Sequence, residues 1–125
     1  MKTRSKSIKQ PNAQKDSRIS PQPDNFSIKK TYLKTKPICK VKFTLPKDAA
    51  PNARSVTIVG DFNKWNPSAN QLKELKNGNY TITLDLERGE YCFRYLIDGC
   101  KWENDWHADK YVPNSFGCDN SVVVL

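Results

Sequence analysis

Histidine is almost absent from this chain, and His107 is the single imidazole among 125 residues. The four cysteines, Cys39, Cys92, Cys100 and Cys118, form no C-x-x-C pair, so a Cys/His zinc site would need an unusual set of ligands. A Ser-His-Asp or Cys-His site would depend on His107, which we interpret as an ordinary loop residue. The sequence thus predicts no metal, no cofactor and no catalysis through an imidazole.

Long apolar runs are also missing. No segment approaches the roughly 18 apolar residues of a membrane span, and the amino-terminal residues lack the apolar stretch of a secretory signal. We therefore expect a cytoplasmic chain with no membrane partner and with reduced thiols. Cys39 occupies an apolar strand position, which indicates a small core residue. The even number of cysteines leaves a disulfide framework open as the alternative.

Phosphate-binding glycine loops are absent too, since Gly60 and Gly99 stand alone in turns. Carboxylates do cluster, as Glu103, Asp105 and Asp109. A glycosidase needs two carboxylates that face each other across a cleft, and acids on one loop offer no second wall. We interpret the cluster as a solvated loop in which Asp105 or Asp109 caps a turn, and we expect no enzymatic activity.

Basic charge is in excess and unevenly placed, within a formal net charge of +8. Residues 1–36 hold ten Lys or Arg and two Asp, whereas residues 37–125 hold eleven basic and eleven acidic residues. We interpret residues 1–30 as a disordered basic tail, because so polar a segment buries too little apolar surface to order. The neutral remainder argues against a nucleic-acid partner, although contact of the tail with RNA or an anionic surface stays open.

Residues 37–125 have the pattern of short strands separated by turns. Apolar and polar residues alternate in segments 39–45, 80–86 and 89–97, and segments 56–59 and 121–125 add further strands. Asn77-Gly78 and Asp98-Gly99 indicate hairpin turns, and residues 104–117 are predicted to form a long loop. This pattern predicts a single all-β domain, a small antiparallel β-sandwich.

The most informative stretch is Val-Gly-Asp-Phe-Asn-Lys-Trp at residues 59–65. Gly60 can adopt backbone angles that other residues avoid, and Asp61 and Asn63 can cap a turn with their side chains. Such a turn can hold Trp65 at the rim of a sheet, where a fixed indole suits the apolar face of a sugar ring. The alternative is that Trp65 is simply a core residue.

Further polar and aromatic groups are predicted to lie near Trp65. Arg94 alternates with Phe93 and Tyr95 and should face away from the core, and Trp102 follows a hairpin that can return it beside Arg94. Indoles for stacking, with a guanidinium and an amide for hydroxyl groups, suit a polyhydroxylated chain. The candidate groups are Trp65, Arg94, Trp102 and Asn120.

With these residues placed, the body resembles the family 48 carbohydrate-binding modules. These include the glycogen-binding domain of AMP-activated protein kinase beta subunits and the amino-terminal early-set domains of isoamylases and branching enzymes. The resemblance covers residues 37–125 and rests on three blocks in the same order. They are residues 59–65, residues 89–99 with Trp102, and residues 116–120 before the apolar terminus. It implies an immunoglobulin-like early-set sandwich.

The resemblance also implies a set of glucan-binding residues. The two tryptophans of the kinase domain fall on Trp65 and Trp102, its lysine on Arg94 and its asparagine on Asn120. Two positions depart in chemistry, because Phe116 stands where the family has leucine and Cys118 where it has threonine. One extra residue before Trp102 makes Trp106 a rival for the second platform.

Two functions follow from this resemblance. The first is non-catalytic binding of an α-glucan polysaccharide or maltooligosaccharide, without the catalytic barrel of the amylase-type enzymes. The alternative is an early-set interaction module that docks on a glycogen-metabolising enzyme without binding sugar. Both indoles are present, which favours sugar binding.

Overall fold

The structure, a computed structural model, describes residues 28–125. These residues form strands joined by turns, with short 3-10 helices at Lys47–Ala49 and Asp61–Asn63. In chain order the strands are β1 (Lys29–Tyr32), β2 (Ile38–Leu45), β3 (Val56–Gly60), β4 (Lys73–Glu74), β5 (Tyr80–Glu87), β6 (Glu90–Ile97), β7 (Lys101–Glu103), β8 (Lys110–Pro113) and β9 (Asp119–Val124).

The strands form two antiparallel sheets, and the predicted all-β sandwich is confirmed. One sheet is five-stranded, in the order β3-β6-β9-β8, with β7 also paired to β6. The other is four-stranded, in the order β1-β2-β5-β4. Both predicted hairpin turns are present. Between β6 and β7, residues 98–100 form a three-residue turn, in which Asp98 and Gly99 have positive φ angles of 53° and 70°.

The core lies between the two sheets and is rich in aromatic rings. Phe93 and Tyr95 of β6 and Phe43 of β2 are fully buried. The Phe43 and Phe93 rings meet edge to face with centroids 5.0 Å apart, and Phe93 meets Tyr95 in the same way at 5.8 Å. Each such pair adds about 0.5–1.5 kcal/mol beyond the burial of its area, and the contact of Phe43 with Phe93 joins the two sheets.

One edge of β6 is shared by two strands, and this arrangement positions the candidate site. β9 pairs with the first half of β6, up to Ser121 opposite Phe93, and β7 pairs with the second half, from Glu103 opposite Tyr95. The junction falls at Arg94. Because successive side chains of a strand face opposite sides, Arg94 faces outward while Phe93 and Tyr95 enter the core, as predicted.

The prediction of a long loop over residues 104–117 was wrong, because this segment contains β8. β8 pairs with β9, with Val112 opposite Asn120. A proline and flanking polar residues mask this strand of only four residues in the sequence. Pro113 ends an edge strand, where the missing N–H group is tolerated.

The folded part also begins earlier than residue 37, where the sandwich was predicted to start. β1 pairs with β2, with Lys30 opposite Val41, and Lys30 Nζ lies 2.7 Å from Oδ2 of Asp109, the residue just before β8. Lysines are common on edge strands. Because β1 begins with two lysines, its sequence is as polar as the preceding segment, and the strand was assigned to the tail. The rest of the predicted disordered tail, residues 1–27, lies outside the described residues.

All four cysteines are free thiols. Cys39 is fully buried in the core, which confirms its predicted place. Within residues 28–125, no helix has the length and apolarity that a membrane crossing requires.

Gly60 is required by close contact rather than by its backbone angles. Its φ of −169° is extended, which any residue adopts, so Gly60 does not use the backbone angles that only glycine adopts easily. A Cβ atom at this position would lie 2.5 Å from the Cys92 carbonyl oxygen and 2.7 Å from the Phe93 Cβ atom. The absence of a side chain lets β3 pair tightly with β6 at this point.

Gly60→Ala is therefore expected to lower the free energy of unfolding by about 3 kcal/mol, the upper range for overpacking, because the blocking atoms include backbone. Gly99→Ala is the matched control, since nothing lies within 4 Å of its added Cβ and only its φ of +70° is unfavourable. It should lose about 1 kcal/mol. Urea unfolding measures both values, and equal losses would contradict this account.

Candidate functional site

An open groove of about 720 Å³ lies on the outer face of the five-stranded sheet. All six residues predicted for the binding site line it, namely Trp65, Arg94, Trp102, Phe116, Cys118 and Asn120. Four more that the sequence analysis did not assign to the site complete the lining, namely Asp61, Cys92, Asn114 and Ser115. Segments far apart in the chain thus converge on one surface.

Trp65 reaches the groove from the turn after β3. It is partly buried and stands outside the hydrophobic core cluster, so the alternative of a core residue is wrong. Lys64 and Trp65 both have positive φ, 57° and 59°, and the Trp65 amide donates to the Gly60 carbonyl at 2.8 Å. Asn63 caps the turn as predicted, since its Oδ1 accepts from the Gly60 amide at 3.1 Å.

Arg94 and Trp102 form a stacked pair in the groove. The guanidinium carbon of Arg94 lies 5.4 Å from the centroid of the Trp102 ring, which is cation–π geometry. Trp102 is 42% exposed, so a substantial part of this residue is open to solvent. The buried Arg94 Nε has no hydrogen-bond partner among the described residues. The stacked pair therefore lines the groove with a partly exposed indole and a guanidinium group.

The hairpin between β8 and β9 forms the wall that carries Phe116, Cys118 and Asn120. Asn114 organises it: its Oδ1 accepts from the Phe116 amide at 2.9 Å and the Cys118 amide at 3.2 Å. Its Nδ2 donates to Asn120 Oδ1 at 3.1 Å. Phe116 is 87% exposed at the tip, so its ring adds a third aromatic to the groove rim. Asn114 could have been found from the sequence, because asparagine is a common turn residue and Gly117 follows it closely.

Cys92 lies on the groove floor but is a poor nucleophile. Burial, and then the nearby carboxylates of Asp61 and Glu90, raise the pKa of its thiol. A raised pKa keeps the thiol protonated near neutrality, and the thiolate is the reactive form. We therefore assign Cys92 a packing role.

Trp106, the predicted rival for the second platform, lies outside the groove. Its Nε1 donates to Glu103 Oε2 at 3.1 Å, and the ring is 49% exposed. Trp102 lines the groove and Trp106 does not. His107 is exposed and also lies outside the groove lining.

Asp105 is buried, which corrects the interpretation of a wholly solvated acidic loop. The residue is 1% exposed. Its Oδ2 accepts from the Tyr95 hydroxyl at 2.7 Å, and its Oδ1 accepts from the His107 amide at 2.7 Å, so the predicted turn-capping role holds. Its own amide donates to Ser121 Oγ at 2.8 Å. These bonds tie the segment after Trp102 to β6 and β9.

Burial raises the pKa of Asp105, against the opposing effect of the Tyr95 hydrogen bond. A carboxyl whose pKa is raised by folding favours the native state when protonated, and that stability is lost as pH rises through the native pKa. The loss should begin near about pH 4, the ordinary value for aspartate. The charged form at neutral pH is thus a cost to the fold.

Asp105→Asn tests this cost, because the amide keeps an acceptor for His107 and a donor for the Tyr95 oxygen. We expect the stability of the variant relative to the natural protein to increase between pH 4 and 8. Urea unfolding across this range measures the difference in free energy of unfolding between the two proteins. The other carboxylates contribute equally to both proteins and do not affect this difference. Parallel curves for the two proteins would show that Asp105 is not perturbed.

Comparison with known proteins fits this geometry. The sequence profile of carbohydrate-binding module 48, described as the isoamylase N-terminal domain, matches residues 49–112. The matched segment is just over half of the chain. The chain belongs to this family. The resemblance predicted from the sequence is therefore confirmed. The match contains Trp65, Arg94 and Trp102, and the hairpin tip with Phe116 lies beyond it.

Several relatives of this module are α-glucan branching enzymes. A 1,4-alpha-glucan branching enzyme of Butyrivibrio fibrisolvens is 36% identical over 63 residues, which are 50% of this chain and 10% of that enzyme. A 1,4-alpha-glucan-branching enzyme of Saccharomyces cerevisiae is 45% identical over 47 residues, 36% of this chain and 7% of the enzyme. The module thus spans a small part of these relatives.

A relative with a different name is Protein PTST homolog 2, chloroplastic, of Arabidopsis thaliana. It is 28% identical over 78 residues, which are 60% of this chain and 14% of that protein. The family is one of carbohydrate-binding modules, and aromatic and polar side chains line the groove of this chain.

Proposed function

We propose that this chain binds α-glucans without transforming them, by stacking glucose units on Trp65 and Trp102. The observation that carries the proposal is the convergence of both indoles with Arg94 and Asn120 in one open groove. Membership of the module 48 family and the kinship with α-glucan branching enzymes support this class of ligand. The groove is open, as a polymer that extends beyond its contact site requires.

The contacts predict moderate affinity. Each indole face stacked on a sugar contributes roughly 2 kcal/mol, from about 100 Å² at about 25 cal/mol/Å². Ordering of a flexible glucan and loss of rigid-body freedom offset part of this gain. A net of about 4–7 kcal/mol corresponds to a Kd of roughly 10 µM to 1 mM for a linear oligosaccharide. Many sites on one glycogen particle raise the apparent affinity.

The groove supports binding rather than hydrolysis. A glycosidase places two carboxyl groups on opposite sides of the bond that it cleaves. Asp61 is the one carboxylate among the residues that line the groove, and internal donors engage both of its oxygens. The buried Asp105 is engaged in the same way. We therefore propose a non-catalytic role.

A second candidate is docking on a glycogen-metabolising enzyme. In the branching-enzyme relatives, the matched segment belongs to a much longer enzyme chain, which favours a module that works beside catalytic machinery. We also propose a cytoplasmic setting, which the free thiols support because a reducing compartment maintains them. Loss of retention on glycogen together with capture by such an enzyme would favour docking.

Trp65→Ala is expected to weaken glucan binding about 30-fold, the equivalent of about 2 kcal/mol of lost stacking. Trp106→Ala is the matched control, because it removes an exposed indole outside the groove and should leave binding unchanged. Affinity electrophoresis in gels that contain glycogen, with bovine albumin as the reference, measures retention. Near-ultraviolet circular dichroism verifies that both variants stay folded.

If the gel retains both folded variants equally, Trp65 is not part of the glucan-binding surface. Stronger loss in Trp106→Ala than in Trp65→Ala would move the site away from the groove.

A further inference from the structure

Asp61 lies in the groove between the turn that carries Trp65 and the strand that carries Arg94. One carboxylate oxygen accepts from the Trp65 indole Nε1 at 2.9 Å. The other accepts from the backbone amide of Cys92 at 2.7 Å. A single side chain thus bonds the indole of the proposed platform to β6.

The backbone of the turn does not by itself fix the orientation of the Trp65 indole. Lys64 and Trp65 are consecutive residues in the left-handed region, with φ of 57° and 59°, and this region costs a residue with a side chain about 1–2 kcal/mol. Backbone bonds hold the turn, but the indole itself can still rotate about its side-chain torsions. The bond from Nε1 to Asp61 fixes the ring plane relative to β6.

The carboxylate is the side chain that suits this position. The indole nitrogen and the Cys92 amide nitrogen are both donors, and an ionised carboxylate offers an acceptor to each. An asparagine has one acceptor oxygen, so its amide group would face one of the two donors. Hydrogen bonds to a charged acceptor are also shorter and stronger than neutral ones.

We propose that Asp61 is a positioning residue for glucan binding, which holds the Trp65 indole in the orientation that accepts a sugar ring. The inference rests on the proposed function. Its consequence is that the charge of Asp61 sets the affinity for a neutral ligand through Trp65, without contacting that ligand. Pre-orientation of a side chain raises affinity because less freedom is lost on binding.

Asp98 provides a matched control on another turn. Its Oδ1 accepts from the backbone amides of Arg54 and Ser55 at 2.7 and 2.9 Å, and it does not line the groove. Asp98→Asn and Asp61→Asn each remove one negative charge, but Asp98→Asn keeps the single oxygen that accepts both bonds. An effect of charge alone would make the two variants behave alike toward glucan.

The experiment measures binding of maltoheptaose to the full chain by titration calorimetry. Asp61→Asn is expected to weaken binding about tenfold, and Asp98→Asn less than twofold. In a Trp65→Phe background, which lacks the indole N–H group, Asp61→Asn should change affinity less than twofold. Unchanged affinity in Asp61→Asn, or an equal loss in both backgrounds, would overturn the positioning role.

A readout without glucan separates this inference from the proposed function. In the unaltered chain, the Trp65 indole N–H signal, assigned by its loss in Trp65→Phe, should exchange with deuterium at least tenfold more slowly than that of Trp102. Equal exchange would overturn the contact itself, even if no Asp61 variant folds. Slow exchange in a chain that binds no maltoheptaose would contradict the α-glucan proposal, and with it the positioning role, while leaving the Asp61–Trp65 contact established.

Discussion

The two-residue alternation of β6 is the constraint on which the rest of the structure depends. Phe93 and Tyr95 point to one side of the strand and build the core, and Arg94 points to the other side and enters the groove. A shift of register by one residue would exchange these two sets. Core packing and the proposed binding surface are therefore specified by the same pairing of β6 with its neighbours.

The neighbours of β6 bring the remaining groove residues to it. β3 delivers Trp65 through a turn that Gly60 allows to approach closely, and β7 and β9 share the opposite edge of β6 and deliver Trp102 and Asn120. The buried Asp105 then secures the segment that follows Trp102. A rigid scaffold commonly positions the loops that carry binding residues, and here the five-stranded sheet is that scaffold.

The sequence predicts the strands and hairpins well, because alternation and turn residues are local signals. The six predicted site residues were identified through the family resemblance, and all six line one groove in the structure. The sequence does not predict β1 or β8, since charge and proline mask short edge strands. It also does not predict the burial of Asp105 or the contact of Asp61 with Cys92, because these depend on pairing between distant segments.

The central claim is that a linear α-glucan lies in the groove, and the three indole N–H groups of the chain test it most directly. Titration of nitrogen-15-labelled protein with maltoheptaose, followed by nuclear magnetic resonance, resolves one signal for each tryptophan. We predict that the Trp65 and Trp102 signals shift together at submillimolar to millimolar ligand while the Trp106 signal stays fixed. Three unmoved signals, or a shift of Trp106 alone, would contradict it.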